Sequence, residues 1–167
     1  MPNHTLGISV HTGWAACVVV GGSLRAPKVI AKETVEILPQ SERFCFHLAA
    51  EMDFDSAERW IARAKERAVA NARRGLSNLL APEVNLCALV AKVGAMGPLR
   101  EILGSHPRIH AAEGLFYRDV LGEACPIPVR TVSPRSLDPS KVGRIAPAPW
   151  GRDQKLAALA AWSVMND

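Results

Sequence analysis

TLGISVHTGWAACVVV, residues 5–20, is the stretch that decides the fold. Two apolar runs with few charges flank the Thr12-Gly13 pair. This pattern predicts a buried strand, a tight turn and a returning strand. A buried hairpin so early in a chain must be covered by elements that come later in the sequence, so the later helices and strands are expected to pack around it.

The composition predicts one compact domain over residues 1–167. Hydrophobic residues make up 49% of the chain, which at this length supplies a full core. No apolar run is long enough to span a membrane, and the first residues lack the basic start and apolar centre of a signal peptide. We therefore expect a cytoplasmic protein with no membrane partner. The four cysteines lie far apart within apolar runs, which is typical of buried free thiols rather than of a zinc site.

The positive charge of the chain is mild. A net charge of +4 is compatible with an anionic partner but does not require one. No aromatic side chains are interleaved with the basic residues to stack on bases, so a solvated helix face explains them more simply than a phosphate-contacting surface. Much of the excess lies on one predicted helix, in Arg59, Arg63, Lys65, Arg67, Arg73 and Arg74.

The residues after the hairpin predict a third strand and a long helix. Residues 27–38 alternate in part between apolar and charged side chains, as a strand with one solvated side does. Residues 43–50 fit either a short strand or the start of a helix. Asp55, with Glu58 three residues later, predicts a helix N-terminus, and apolar residues at helical spacing extend this helix over residues 57–80.

The second half of the chain alternates between strands and helices. Residues 84–93 form an almost uncharged run, typical of a strand buried on both faces. A helix starting at Pro98, a second from about residue 108 to Gly122, a strand at 129–132 and an alanine-rich helix at 153–165 come after it. The alanines of this last helix would let another backbone approach closely. The whole order predicts an α/β fold with a mixed sheet and helices on both faces.

This order resembles the ribonuclease H-like superfamily, and two segments look like the RuvC-type Holliday junction resolvases. Thr12-Gly13-Trp14-Ala15 is similar to the Thr-Gly-aromatic segment between that family's first two strands. Residues 153–160, DQKLAALA, are similar to its final helix, which begins with an acidic residue and continues with alanines. The resemblance in element order covers almost the whole chain. It implies a ribonuclease H-like mixed sheet, in which an antiparallel meander precedes alternating helices and strands.

The resemblance also implies a site in which converging carboxylates hold two Mg²⁺ ions that cut phosphodiesters. The aspartate of the family's first strand aligns with Ser9, and the acidic residue that ends the strand after the long helix aligns with Lys92. Asp153 alone keeps an acidic residue. Because an ammonium near a metal position is electrostatically costly, the two-metal arrangement is expected to be lost. The actin-like ATPases share this fold core and also need the early acidic residue, so they fit less well.

A polar cluster on the predicted second-half helix is a separate candidate site. His110 and Glu113 are three residues apart on one helix face, where they could bind one metal ion or perform acid–base chemistry. The polar face of a solvated helix explains the same residues more simply. In a sharper version of this hypothesis, His11 joins Glu113 and Asp153 near the end of the sheet.

The residues around the hairpin turn offer another possibility. Together with Ser9 on the first strand, His11, Thr12, Gly13 and Lys92 are candidates for an anion-binding pocket, to which backbone N–H groups of the turn would contribute. A lysine that extends from a strand end into solvent is the simpler interpretation of Lys92.

These residues support three functional hypotheses. The leading one is a divergent or non-catalytic ribonuclease H-like protein that binds nucleic acid or another phosphate-bearing ligand. The second is an active nuclease whose carboxylates are rearranged to Asp153 and Glu113, with Asp119 as an optional third acid. The third is an interaction module that forms a homodimer through an apolar helix or a sheet edge. A cofactor is predicted only under the second hypothesis, as Mg²⁺ or Mn²⁺.

Overall fold

The computed structural model describes residues 3–145 and 149–165. Five strands and five α-helices make up most of these ranges, and two short 3-10 helices lie at Pro134–Ser136 and Pro139–Arg144. In chain order the strands and α-helices are β1 (His4–His11), β2 (Trp14–Ser23), β3 (Ala26–Glu36), α1 (Cys45–Ala50), α2 (Phe54–Ser77), β4 (Val84–Val90), α3 (Leu99–Leu103), α4 (His106–Ala124), β5 (Val129–Val132) and α5 (Arg152–Val164).

The first hairpin lies at the centre of one mixed sheet, as predicted. The strand order is β3-β2-β1-β4-β5. β2 is antiparallel to both β1 and β3, whereas β4 is parallel to β1 and β5 is parallel to β4. Gly13 closes the turn between β1 and β2 with a φ of +84°, a conformation that glycine adopts without steric cost.

The two faces of the sheet are covered by different helices. On one face Leu6 and Ile8 of β1 belong to a core that also includes the buried sides of α1, α2 and α4. On the other face α5 packs against Val18 and Val20 of β2 and Ala88 of β4. Because side chains alternate along a strand, Gly7 and Ser9 of β1 face α5.

α5 lies unusually close to β1. A Cβ atom built on Gly7 would lie only 1.8 Å from the backbone oxygen of Ala157 and 3.0 Å from the Cβ of Ala161. The predicted close approach of a backbone to the alanine-rich helix is therefore found, and the partner is Gly7. This contact places the first turn of α5 beside the end of β1.

Several predicted boundaries need correction. The N-cap of α2 is Asp53 rather than Asp55, because the Asp53 carboxylate accepts the Ser56 N–H at 3.0 Å and the helix begins at Phe54. β4 ends at Val90, so residues 91–93 lie beyond the strand. The ambiguous residues 43–50 contain the short helix α1. α4 begins at His106, before the predicted start.

Asp53 makes the start of α2 sensitive to acid. Hydrogen bonding by the side chain and the backbone of Ser56 lowers the pKa of Asp53. Because the folded-state pKa lies below the unfolded value of about 3.9, this stabilisation is present above that value and is lost as the pH falls through the lower one. Asp53→Asn keeps a capping oxygen that does not titrate. We expect it to lose less stability than wild type between about pH 5 and pH 3 in urea unfolding; equal losses would contradict this assignment.

The four cysteines are buried and free, as predicted. Burial, with a smaller contribution from the charge of Glu33, raises the pKa of Cys17 to about 12. Its thiol therefore stays protonated at neutral pH.

Among the helices of residues 3–145 and 149–165, none combines the length and apolar character needed to cross a bilayer.

Candidate functional site

A cleft of about 620 Å³ opens where β1 and β4 end. Because these strands are parallel, their carboxyl ends meet at the same edge of the sheet, and the first turn of α5 and one side of α4 complete the walls. The polar side chains that line the cleft come from β1 and its turn, from the segment after β4, from α4 and from α5. They are Ser9, His11, Thr12, Lys92, His110, Arg152 and Asp153.

Ser9 and Asp153 meet at the base of this cleft. The Ser9 hydroxyl donates a hydrogen bond to Asp153 Oδ1 at 3.0 Å, across 144 residues of sequence. Ser9 is almost fully buried, and Asp153 lies in the first turn of α5. The close packing of α5 on Gly7 brings these two side chains into contact.

The cleft carries more positive than negative charge. Lys92 and Arg152 are exposed and both line it, whereas Asp153 is the only carboxylate among the lining residues of the described chain. The sequence pattern did not single out Arg152. The available signal was its position directly before Asp153, because the helix starts one residue earlier than predicted.

Glu113 does not reach the cleft. The residue is 3% exposed, and its carboxylate faces α1, where it accepts the backbone N–H of Phe46 at 2.9 Å and that of His47 at 3.3 Å. It thereby caps α1, whose own N-cap residue, Phe44, provides no side-chain cap. Burial, followed by the charge of Glu113, raises the pKa of Cys45, whose thiol donates to the same carboxylate.

The carboxylate arrangements considered from the sequence are therefore not assembled. His11 and Asp153 line the cleft. Glu113 does not line it, because its carboxylate is hydrogen-bonded to the backbone of α1. Asp119 accepts hydrogen bonds from Arg118 at 2.8 and 2.6 Å and does not line the cleft. Sequence spacing placed these acids on the same helix but could not show which neighbour each would meet.

Arg118 supports the segment that carries Lys92. Its guanidinium donates to the carbonyl of Lys92 at 3.3 Å and to that of Gly94 at 2.7 Å. Asp119 holds the other side of the same guanidinium. Asp119 therefore acts on the position of Lys92 through Arg118, and Lys92 is an exposed residue that lines the cleft.

The hairpin turn contributes unequally to the cleft. His11 lines it and stacks on Trp14, with ring centroids 4.7 Å apart. Thr12 also lines it. Gly13 does not: it is buried, and its carbonyl accepts the backbone N–H groups of Ile37 and Leu38, tying the turn to the end of β3.

His110 belongs both to the cleft and to a group of histidines. Its Nε2 lies 2.9 Å from Nε2 of His106, one helical turn earlier, and its ring centroid lies 4.8 Å from that of His47 in α1. His47 was not a sequence candidate, because the pattern of residues 43–50 did not distinguish strand from helix.

The sheet order and the position of the cleft define the class of fold. An antiparallel meander followed by two parallel strands, with helices on both faces, is the ribonuclease H-like α/β fold. The chain is similar to T. thermophilus RuvC in complex with Holliday junction substrate, at 13% identity and a TM-score of 0.52, over 96% of this chain and 91% of that one. A second Thermus thermophilus RuvC structure matches at 13% identity, a TM-score of 0.50 and the same coverage of 96% and 91%. At this identity the similarity establishes the fold alone. No family model matches the sequence, and no curated protein matches it.

Proposed function

We propose that this chain is a ribonuclease H-like protein that binds nucleic acid, or another phosphate-bearing ligand, in its cleft without metal-dependent cleavage. The observation that supports this most strongly is the charge of the lining: among the described residues, Lys92 and Arg152 stand against the single carboxylate of Asp153. Both cations are exposed and can reach a ligand. Exposed Lys and Arg side chains supply most of the affinity for a phosphate backbone.

The lining residues do not fit a pair of Mg²⁺ ions. Hard divalent cations need several oxygen ligands, most of them anionic. Here the Asp153 carboxylate is already hydrogen-bonded to Ser9, and Lys92 and Arg152 line the same space. The positive charges of Lys92 and Arg152 attract a phosphodiester and repel a metal ion.

The choice of a nucleic acid probe rests on the solved RuvC structure to which this chain is similar. T. thermophilus RuvC has been seen in complex with a Holliday junction, so a protein with this fold can hold branched DNA. A four-way DNA junction is therefore the first probe, with single-stranded DNA and inorganic phosphate as comparisons.

Binding should be measured by fluorescence anisotropy of a labelled four-way junction over a range of salt concentrations. We expect affinity to fall steeply with salt, and Lys92→Ala to weaken binding about tenfold and reduce the salt slope by about one. Lys28→Ala, an equal charge change on the exposed part of β3, is the matched control and should change little. Absence of binding at low salt to all three probes would overturn the proposal.

Asp153→Asn separates binding from cleavage. In a phosphate-binding cleft, removing the carboxylate beside two cations lowers repulsion, so affinity for the junction is expected to rise about two- to fivefold. In a nuclease built on Asp153, the same change would abolish cleavage in Mg²⁺ or Mn²⁺. We expect wild type to leave the junction and single strands intact in either metal. Cleavage that disappears in Asp153→Asn would establish the nuclease instead.

A homodimer is a second candidate function, favoured by one surface. Three apolar residues at and around α1 are exposed: Phe44, its N-cap residue, at 49%, Leu48 within the helix at 37%, and Met52, two residues after its end, at 39%. Exposed apolar side chains in a row are typical of association surfaces. Sedimentation velocity at micromolar concentration tests this, with Leu48→Glu expected to convert a dimer to a monomer; a wild-type monomer would exclude it.

A further inference from the structure

Three histidines converge where α1 meets α4. His106 and His110 are one turn apart on α4, and His47 comes from α1. One ring nitrogen of each lies within 4.8 Å of those of the other two. Neutral imidazole nitrogens at such spacing are the typical ligands of zinc and related transition metals. We refer to His47, His106 and His110 as the histidine cluster.

Glu113 fixes the orientation of His47. Its Oε1 lies 3.1 Å from His47 Nδ1, and the same oxygen accepts the backbone N–H of His47. A carboxylate at Nδ1 holds the proton on that nitrogen and leaves Nε2 with a free lone pair. Histidines that bind a metal through one ring nitrogen usually donate the N–H of the other nitrogen to a carboxylate in this way.

The spacing within the cluster suits a bound ion. Bonds of about 2.0–2.1 Å from zinc to each nitrogen would place tetrahedral ligand atoms about 3.3 Å apart. His106 Nε2 and His110 Nε2 lie 2.9 Å apart, and both residues are exposed, so a small rotation of either ring would reach this spacing. The three rings are mutually inclined by 67° to 89°, so they do not stack face to face.

We propose that His47, His106 and His110 bind one Zn²⁺ or a similar borderline transition metal, with Glu113 as a positioning residue for His47. Three protein ligands leave a fourth position for water or for an oxygen of a ligand. Because His110 also lines the cleft, the ion would lie at its edge, and neither Ser9 nor Asp153 belongs to its ligand set. The site does not depend on whether the cleft binds nucleic acid.

Co²⁺ and Zn²⁺ titrations of the EDTA-treated, tag-free full chain test the site. We expect one Co²⁺ per chain with the visible absorption of a four-coordinate ion, displaced by Zn²⁺, and a rise in Tm with Zn²⁺ but not with Mg²⁺. His106→Gln and His110→Gln, both at exposed positions, should each weaken Zn²⁺ binding at least about tenfold. His4→Gln, outside the cluster, is the matched control and should bind as wild type does.

Glu113→Gln tests the positioning role without removing the side-chain volume. Its amide oxygen can still accept a backbone N–H, so the circular dichroism spectrum should be retained. Loss of the carboxylate behind a metal-bound histidine typically costs about 10- to 100-fold in metal affinity.

Failure of wild type to bind one equivalent of Co²⁺ or Zn²⁺ would overturn the proposal. Binding that is unchanged in the His106 and His110 variants would also overturn it.

Discussion

Gly7→Ala is expected to destabilise the protein by about 3 kcal/mol or more, at the upper end of the usual cost of overpacking. The new methyl group would lie 1.8 Å from the backbone oxygen of Ala157. No side-chain rotation can relieve a clash with a helix backbone, so α5 must move away from β1. For a chain of this size the cost corresponds to a fall in Tm of about 6–12 °C. Urea and thermal unfolding measure both quantities.

Gly122→Ala is the matched control for this prediction. A Cβ at Gly122 in α4 would meet nothing within 4 Å, and alanine favours a helix over glycine by about 1 kcal/mol. Its stability should be unchanged or slightly raised. If Gly7→Ala were as stable as Gly122→Ala, the close packing of α5 on β1 would be contradicted. The movement of α5 should also weaken the hydrogen bond between Ser9 and Asp153.

Glu113→Ala is expected to cost about 3 kcal/mol in the free energy of unfolding. The change leaves the buried N–H of Phe46 and the partly buried N–H of His47 without their acceptor, and an unsatisfied buried donor costs about 1–3 kcal/mol. α1 has no side-chain cap of its own to replace it. Hydrogen exchange should show the amides of residues 46 and 47 losing protection before those of α2.

Glu123→Ala tests whether the effect is specific to the buried acid. Glu123 lies on the same helix and pairs with Lys65, but both side chains are about half exposed, at 49% and 50%. Such a pair contributes about 0–1 kcal/mol. Equal destabilisation by Glu113→Ala and Glu123→Ala would show that the cap on α1 does not stabilise the fold.

The sheet could be predicted largely from local patterns. The apolar runs around Thr12 and Gly13 determine a hairpin within a few residues, and β5 lies at the predicted residues 129–132. The start of α2 was misplaced because Asp53 and Asp55 both have capping side chains, and only the contact with the Ser56 N–H distinguishes them. Topology then brings Ser9 and Lys92 to one edge, because parallel strands end together.

The partner of each polar side chain could not be predicted in the same way. Glu113 and His47 are 66 residues apart, and their contact depends on how α1 sits against α4. Helical spacing correctly placed His110 and Glu113 on one helix, yet His110 lines the cleft while Glu113 turns towards α1. Contacts of this kind are decided by tertiary packing, which no local pattern records.

The placement of α5 has a consequence for how the protein is made. The five strands found in residues 3–145 all precede this helix, and its residues cover the face formed by Val18, Val20 and Ala88. On the ribosome, that apolar surface stays open to solvent until residues 152–164 have emerged. Nascent chains that carry such surfaces are prone to aggregate and are bound by chaperones. Slow translation over α5 should therefore lower the yield of folded protein more than slow translation over α2.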